Sequence, residues 1–267
     1  MEIGAYILAI LIGVTLGLIG SGGSILTVPI LVYLLKIEPE LATGYSLFIV
    51  GISALVGWLF KGRKGLVDYK MVFIFGIPSI FMILFTRSFI MPVIPEVIFS
   101  VGDIELSKGM FLMLLFAVIM FYASISMIKP VKEKASDEST PAKYSFGNIF
   151  VKGLFLGLVT GMVGAGGGFL IVPTLVLFAG MPMHKAVATS LALVSFNALI
   201  GFLGYINVDS NPVDWMLLMY FSLAAIVGIF IGDYLAKYIS GVRLKRGFGF
   251  FVLSMAIFIL LIEVLTV

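Results

Sequence analysis

Ten apolar segments with almost no charge inside them decide what this chain can fold into. They run near 3–19, 24–35, 41–60, 70–88 and 107–128, then near 149–163, 168–179, 185–206, 214–236 and 244–265. Several reach the roughly 20 residues that a helix needs to cross the hydrocarbon of a bilayer. Charged residues make up 12% of the 267 and hydrophobic ones 61%, with a mean hydropathy of +1.20. A soluble domain carries about 25% charged residues, so a globule of this composition could not cover its surface with polar groups. In lipid the backbone must satisfy itself, which leaves helices or closed barrels. The runs are continuous and lack the alternation of barrel strands. The chain reads as an all-α polytopic membrane protein.

The same composition excludes several chemistries. There is no cysteine, hence no disulfide, thiolate nucleophile or cysteine metal site. A single histidine, His184, builds no multi-histidine centre, so no metal and no cofactor is expected. An intramembrane enzyme would need a nucleophile with a base, or metal ligands, within the spans; no catalytic residue is assigned. A net charge of +3 is too small to argue for nucleic acid. Residues 1–4 carry no basic n-region, and no small-residue cleavage site follows, so 3–19 is read as a retained membrane segment.

The chain repeats itself. A shift of 144 lays Gly13–Leu59 on Gly157–Leu203 without a gap, with 18 of 47 positions identical. Matches of Leu and Val are expected between apolar segments; matches of Gly17/Gly161, Gly20/Gly164, Gly22/Gly166, Gly23/Gly167, Pro29/Pro173 and Gly57/Gly201 are not. A shift of 146 then sets Val67-Asp68-Tyr69 against Val213-Asp214-Trp215. The chain therefore divides into a repeat at 1–128, a polar linker at 129–147 and a second repeat at 148–267. The linker, with Lys132, Glu133, Lys134, Asp137 and Glu138, is too polar for lipid and is placed in water.

Basic residues choose the topology. If the first two segments of each half form one span, Lys and Arg divide nine to eight across the membrane. If the chain turns back at Gly20–Gly23 and Gly164–Gly168, fourteen of the 17 share one side. Only Lys36, Arg87 and Lys108 lie opposite. The positive-inside rule selects the second arrangement: two inverted repeats, both termini outside, each repeat with a glycine-broken re-entrant or half-helix pair and three spanning helices.

The breaks Gly20-Ser21-Gly22-Gly23-Ser24 and Gly164-Ala165-Gly166-Gly167-Gly168 are where chemistry is expected. An interrupted helix leaves N–H groups unpaired, and a half-helix N-terminus attracts anions without a cationic side chain. Gly22, Gly23, Ser24, Gly166, Gly167 and Gly168 are thus read as a midplane cradle for one small anion. Gly13/Gly17 and Gly157/Gly161, four apart, read as packing positions. A dinucleotide loop would need glycine where Ile25 and Phe169 stand. In the third segments, Ser46, Ser53 and Gly57 share one helix face, as do Ser190, Asn197 and Gly201. Ser46, Ser53, Thr189, Ser190 and Asn197 are candidate ligand contacts, because a buried amide or hydroxyl in lipid needs a partner. His184 is placed at a mouth. Arg87 and Asp233 are read as snorkelling ends, and Trp58, Tyr69, Tyr205 and Trp215 as interfacial belt residues. The apolar stretch 91–101 is expected to be a loop.

The blocks Gly-x-Gly-Gly-(Ser/Gly)-x-Leu-x-Val-Pro at 20–29 and 164–173, with Ala-Thr-Gly-Tyr-Ser-Leu at 42–47 and Ala-Val-Ala-Thr-Ser-Leu at 186–191, carry a resemblance. Through them the chain resembles the TauE/SafE sulfite-exporter family of membrane permeases over nearly its whole length. The resemblance implies an exporter of sulfite, thiosulfate or an organosulfonate such as sulfoacetate, held between the repeats in a prokaryotic plasma membrane. Ser24, Gly44-Tyr45 and Asp233 depart from the pattern. A passive anion channel or a permease for a small carboxylate are the alternatives. The expected partners are a small anion and the lipid bilayer, with oligomeric state left open.

Overall fold

The computed structural model describes residues 2–20, 23–101, 104–129, 146–163, 168–177, 179–206 and 213–265. The helices are α1 (Glu2–Ile19), α2 (Gly23–Pro29, running on as a π turn through Leu34), α3 (Pro39–Gly62), α4 (Tyr69–Phe85), α5 (Lys108–Ile128), α6 (Phe146–Val163), α7 (Gly168–Leu177), α8 (Met183–Ile206), α9 (Trp215–Ala236) and α10 (Gly241–Leu265). Six of these elements, α3, α4 with its extension to Val93, α5, α8, α9 and α10, are long and apolar enough to cross a membrane. Helix starts follow local chemistry. Pro39 opens α3, and Asp68 and Asp214 cap α4 and α9 by accepting from Met71 N and Leu217 N.

One departure from an all-helical reading lies in the stretch expected to be a loop. Met91–Val93 forms a 3-10 turn, and Val97–Val101 (β1) pairs antiparallel with Ile104–Ser107 (β2). Val97, Ile98, Phe99, Val101 and Ile104 are β-branched or aromatic and suit a strand. Lys108 ties this hairpin down through Glu40 at 3.2 Å and Glu96 at 3.5 Å.

The helices pack in pairs drawn from opposite repeats. Gly13 and Gly17 of α1 rest on the backbone of α9 at Ala225 and Ile229; Gly157 and Gly161 of α6 rest on α4 at Ser79 and at Ile83 and Thr86. These pairs interchange under the sequence shifts, 13 to 157 and 17 to 161 with 225 to 79 and 229 to 83. At each of them a Cβ would overlap the neighbouring helix, so glycine here permits close approach, as expected for small-residue packing. Hence α1 packs parallel to α9, and α6 parallel to α4.

At the centre lie α3 and α8, the most buried spans, with 61% and 78% of their apolar windows inside against 28–39% for the others. Gly44 meets Tyr205, Gly51 meets Leu199 and Gly57 meets Leu191, so these equivalent helices run antiparallel. Gly20, in a left-handed conformation at φ +80, packs against Val187 and Ser190 near the start of α8. Yet α3 begins at the opposite end, where Gly44 touches Tyr205. The chain between them travels back through α2, so α1 and α2 run in opposite directions as a helical hairpin. The contacts of Gly161 with Thr86, at the far end of α4 from Asp68, impose the same return on α6 and α7.

Candidate functional site

Of the eleven residues singled out for binding, Gly22, Gly166 and Gly167 lie outside the described residues, and Gly23, Ser24 and Gly168 begin α2 and α7. Ser46, Ser53, Thr189, Ser190 and Asn197 all have zero exposure. Burial is complete, and the hydrogen bonds then separate them.

Asn197 is the fifteenth of the 24 residues of α8, and its counterpart Ser53 is the fifteenth of the 24 of α3. Because the helices are antiparallel, both stand near the middle of the bundle. Ser79 donates to Asn197 Oδ1 at 3.0 Å and to Gly76 O at 2.9 Å. Asn197 Nδ2 and Ser53 Oγ have no hydrogen-bond partner among the described residues. A buried polar group left unpaired costs about 1–3 kcal/mol, and such groups in a membrane interior mark sites.

Ser190 donates to Val187 O at 2.9 Å, and a Cβ on Gly20 would lie 2.5 Å from its Oγ. The first break is therefore brought against the polar face of the second repeat, so the glycine break and the serine face, far apart in the chain, meet. Ser190 is the eighth residue of α8, so this break lies toward one end of the span and not at the midplane expected for it. Asn197 follows on the same face, about 10 Å along the axis.

Thr189 has a different task. Its Oγ1 accepts from the backbone N–H of Asp68 at 3.0 Å, as Tyr45 Oη accepts from that of Asp214 at 2.8 Å. Tyr45 and Thr189 are equivalent, so the departure noted at Gly44-Tyr45 preserves the hydroxyl. Gly44 gives up its side chain to the ring of Tyr205.

Three readings need correction. Tyr205 is not a belt residue but 4% exposed, stacked on Phe202 with the Arg87 guanidinium 6.0 Å from its ring centre. Trp58 is half-buried against Phe196; Tyr69 and Trp215 are exposed as expected. Asp233 does not snorkel. It bridges Lys61 at 3.1 Å and Lys64 at 3.0 Å, while Lys61 also donates to Gly17 O at 3.1 Å. His184 is exposed.

A profile described as sulfite exporter TauE/SafE matches residues 5–259. The chain belongs to that family. It is 31% identical over 255 residues to a "Probable membrane transporter protein" of Xylella fastidiosa, covering 94% of this chain and 91% of the relative. It is 27% identical over 248 residues to the "Probable membrane transporter protein YunE" of Bacillus subtilis, covering 88% and 86%. No solved structure matches it. Family and relatives are those of a membrane transporter and not of an enzyme, in keeping with a multi-pass chain of six candidate spans.

Proposed function

We propose that the chain is a permease for a small sulfur-containing anion (sulfite, thiosulfate or an organosulfonate such as sulfoacetate) exported across a prokaryotic plasma membrane. The observation that carries this reading is the pair of unpartnered buried donors, Asn197 Nδ2 and Ser53 Oγ, at equivalent positions near the middle of α8 and α3. An amide –NH₂ is donor only; what satisfies it must accept, as an oxyanion does. The anion rests between the repeats on these donors, with the backbone amides at the two glycine breaks facing its route on either side. Neutral donors in a dry site hold an anion without a buried cation to neutralise.

The antiparallel course of α3 and α8 supports inversion of the repeats about an axis in the membrane plane. Gathering fourteen of 17 basic residues on one side supports placing the linker in the cytoplasm and both termini outside. Each re-entrant hairpin then reaches toward the face opposite its entry, and alternation of the hairpins exposes the anion to one side at a time.

Purified protein in liposomes tests the reading. Sulfite or sulfoacetate flux is expected to saturate, with Ni²⁺ not carried and acetate a weak competitor. Non-saturating flux would favour the passive channel, and Ni²⁺ uptake without anion flux would reverse the assignment.

A further inference from the structure

The ionic cluster at the lysine-rich end of the bundle is not explained by the site above. Lys61 and Lys64 of α3 share one carboxylate, Asp233 of α9, with side-chain exposures of 6%, 38% and 13%. Lys61 reaches further, to the carbonyl of Gly17 in the last turn of α1. Three helices are thus tied at one point. That point lies about one turn of α1 before Gly20, which rests on Val187 and Ser190, so the cluster stands beside the first break at the lysine-rich end. A buried ion pair is a poor way to hold helices together, since desolvation cancels most of its attraction. Apolar residues would serve packing better.

The other end of the bundle offers a comparison. The shifts that relate the repeats carry Lys61 to Tyr205 and Asp233 to Arg87. There a ring replaces the ammonium and a guanidinium replaces the carboxylate, 6.0 Å apart.

We infer that Lys61, Lys64 and Asp233 form an anion-operated gate in which Asp233 stands in for the transported anion. Closed, the two ammoniums hold Asp233, and Lys61 holds the end of α1. An arriving anion exchanges with the carboxylate on the lysine pair, α3 is released from α1 and α9, and the way to Ser190 opens. This rests on the anion-permease reading and assigns the lysine pair as a first binding station on the lysine-rich side.

The chain has no cysteine, so Ser190→Cys supplies a single thiol beside the break. Its modification is followed in inside-out vesicles with anionic sulfonatoethyl methanethiosulfonate and its cationic trimethylammonioethyl analogue. Asp233→Asn is expected to speed the anionic reagent by roughly tenfold or more, since losing one partner of a buried pair shifts equilibria by decades. The cationic reagent gains much less, because the freed lysines repel it. Asp233→Glu restores the slow rate. Lys64→Gln, at the most exposed member, guards against a folding defect and is expected to speed both reagents while narrowing the preference for the anion. Unchanged rates in both Asp233→Asn and Lys64→Gln would overturn the gate while leaving the central anion site standing. Equal acceleration of both reagents by Asp233→Asn would overturn the stand-in role and reduce the cluster to a latch, while the anion reading stands or falls on the liposome flux.

Discussion

Asp68 and Thr189 join the two repeats: the backbone N–H of the residue that caps α4 donates to the threonine hydroxyl on α8 at 3.0 Å. The mirrored bond, from Asp214 N to Tyr45 Oη at 2.8 Å, joins α9 to α3. Each capping residue therefore has its backbone N–H held by the other repeat, and the halves are interlocked. Helix pairing says the same, since α1 packs on α9 and α6 on α4.

Thr189→Val removes the acceptor of that bond and leaves the N–H of Asp68 without its partner, at a cost of about 1–3 kcal/mol. The expected result in detergent is a lower unfolding temperature with anion affinity unchanged. Tyr45→Phe should behave alike. Lost affinity at undiminished stability would return Thr189 to the binding site.

Gly161→Ala separates packing from binding. A Cβ there would lie 2.7 Å from Thr86 Cβ and 3.2 Å from Ile83 O, and overpacking of this kind costs about 1–3 kcal/mol. Thermal unfolding is expected to fall while sulfoacetate affinity holds. Gly17→Ala should be worse, because the obstruction is the backbone of α9 itself.

Sidedness is testable at residues away from the spans. Glu96, 82% exposed beside the β-hairpin, and Ser136 in the linker should lie on opposite faces. With Glu96→Cys and Ser136→Cys in intact cells, an impermeant thiol reagent is expected to label the first and spare the second. The reverse pattern would invert the topology.

Much of this fold was legible because lipid imposes simple rules. Element ends fell within a few residues of the apolar segments, and the breaks at Gly20 and Gly164 announced the hairpins through residues that no packing helix needs so densely. The burial of Asn197 followed from its place on one face with Ser190. What stayed hidden were relationships across the repeats. Tyr205 resembles a belt tyrosine until Gly44 and Arg87 close around it, and Asp233 resembles a snorkelling end until Lys61 arrives from α3. No local pattern records such partners. At the helix ends the 144 and 146 shifts set Lys61 against Tyr205 and Arg87 against Asp233, paired departures from symmetry. The strand pairing of 97–107 is not legible in the sequence, because short apolar runs read alike as loop, strand or span.

Ser79 tests how the central amide is held. It has zero exposure and is the protein partner of Asn197 Oδ1, whereas its counterpart in the other repeat is Ala225. Ser79→Ala lets the amide turn, and is expected to weaken anion binding severalfold, less than loss of the amide. In the double variant with Asn197→Ala it should add little, because its effect passes through that side chain.

Calorimetric titration of Asn197→Ala with sulfoacetate and sulfite, on folded and monodisperse protein, tests the central claim most directly. A hydrogen bond to a charged group contributes about 1.5–3 kcal/mol, so affinity should fall roughly tenfold to a hundredfold or more at 1.4 kcal/mol per decade. Thermal stability should change little, since losing the Ser79 bond and some packing is offset by removing the unpartnered buried –NH₂. Wild-type affinity for both anions in Asn197→Ala would contradict the account and move the site away from the α3–α8 crossing.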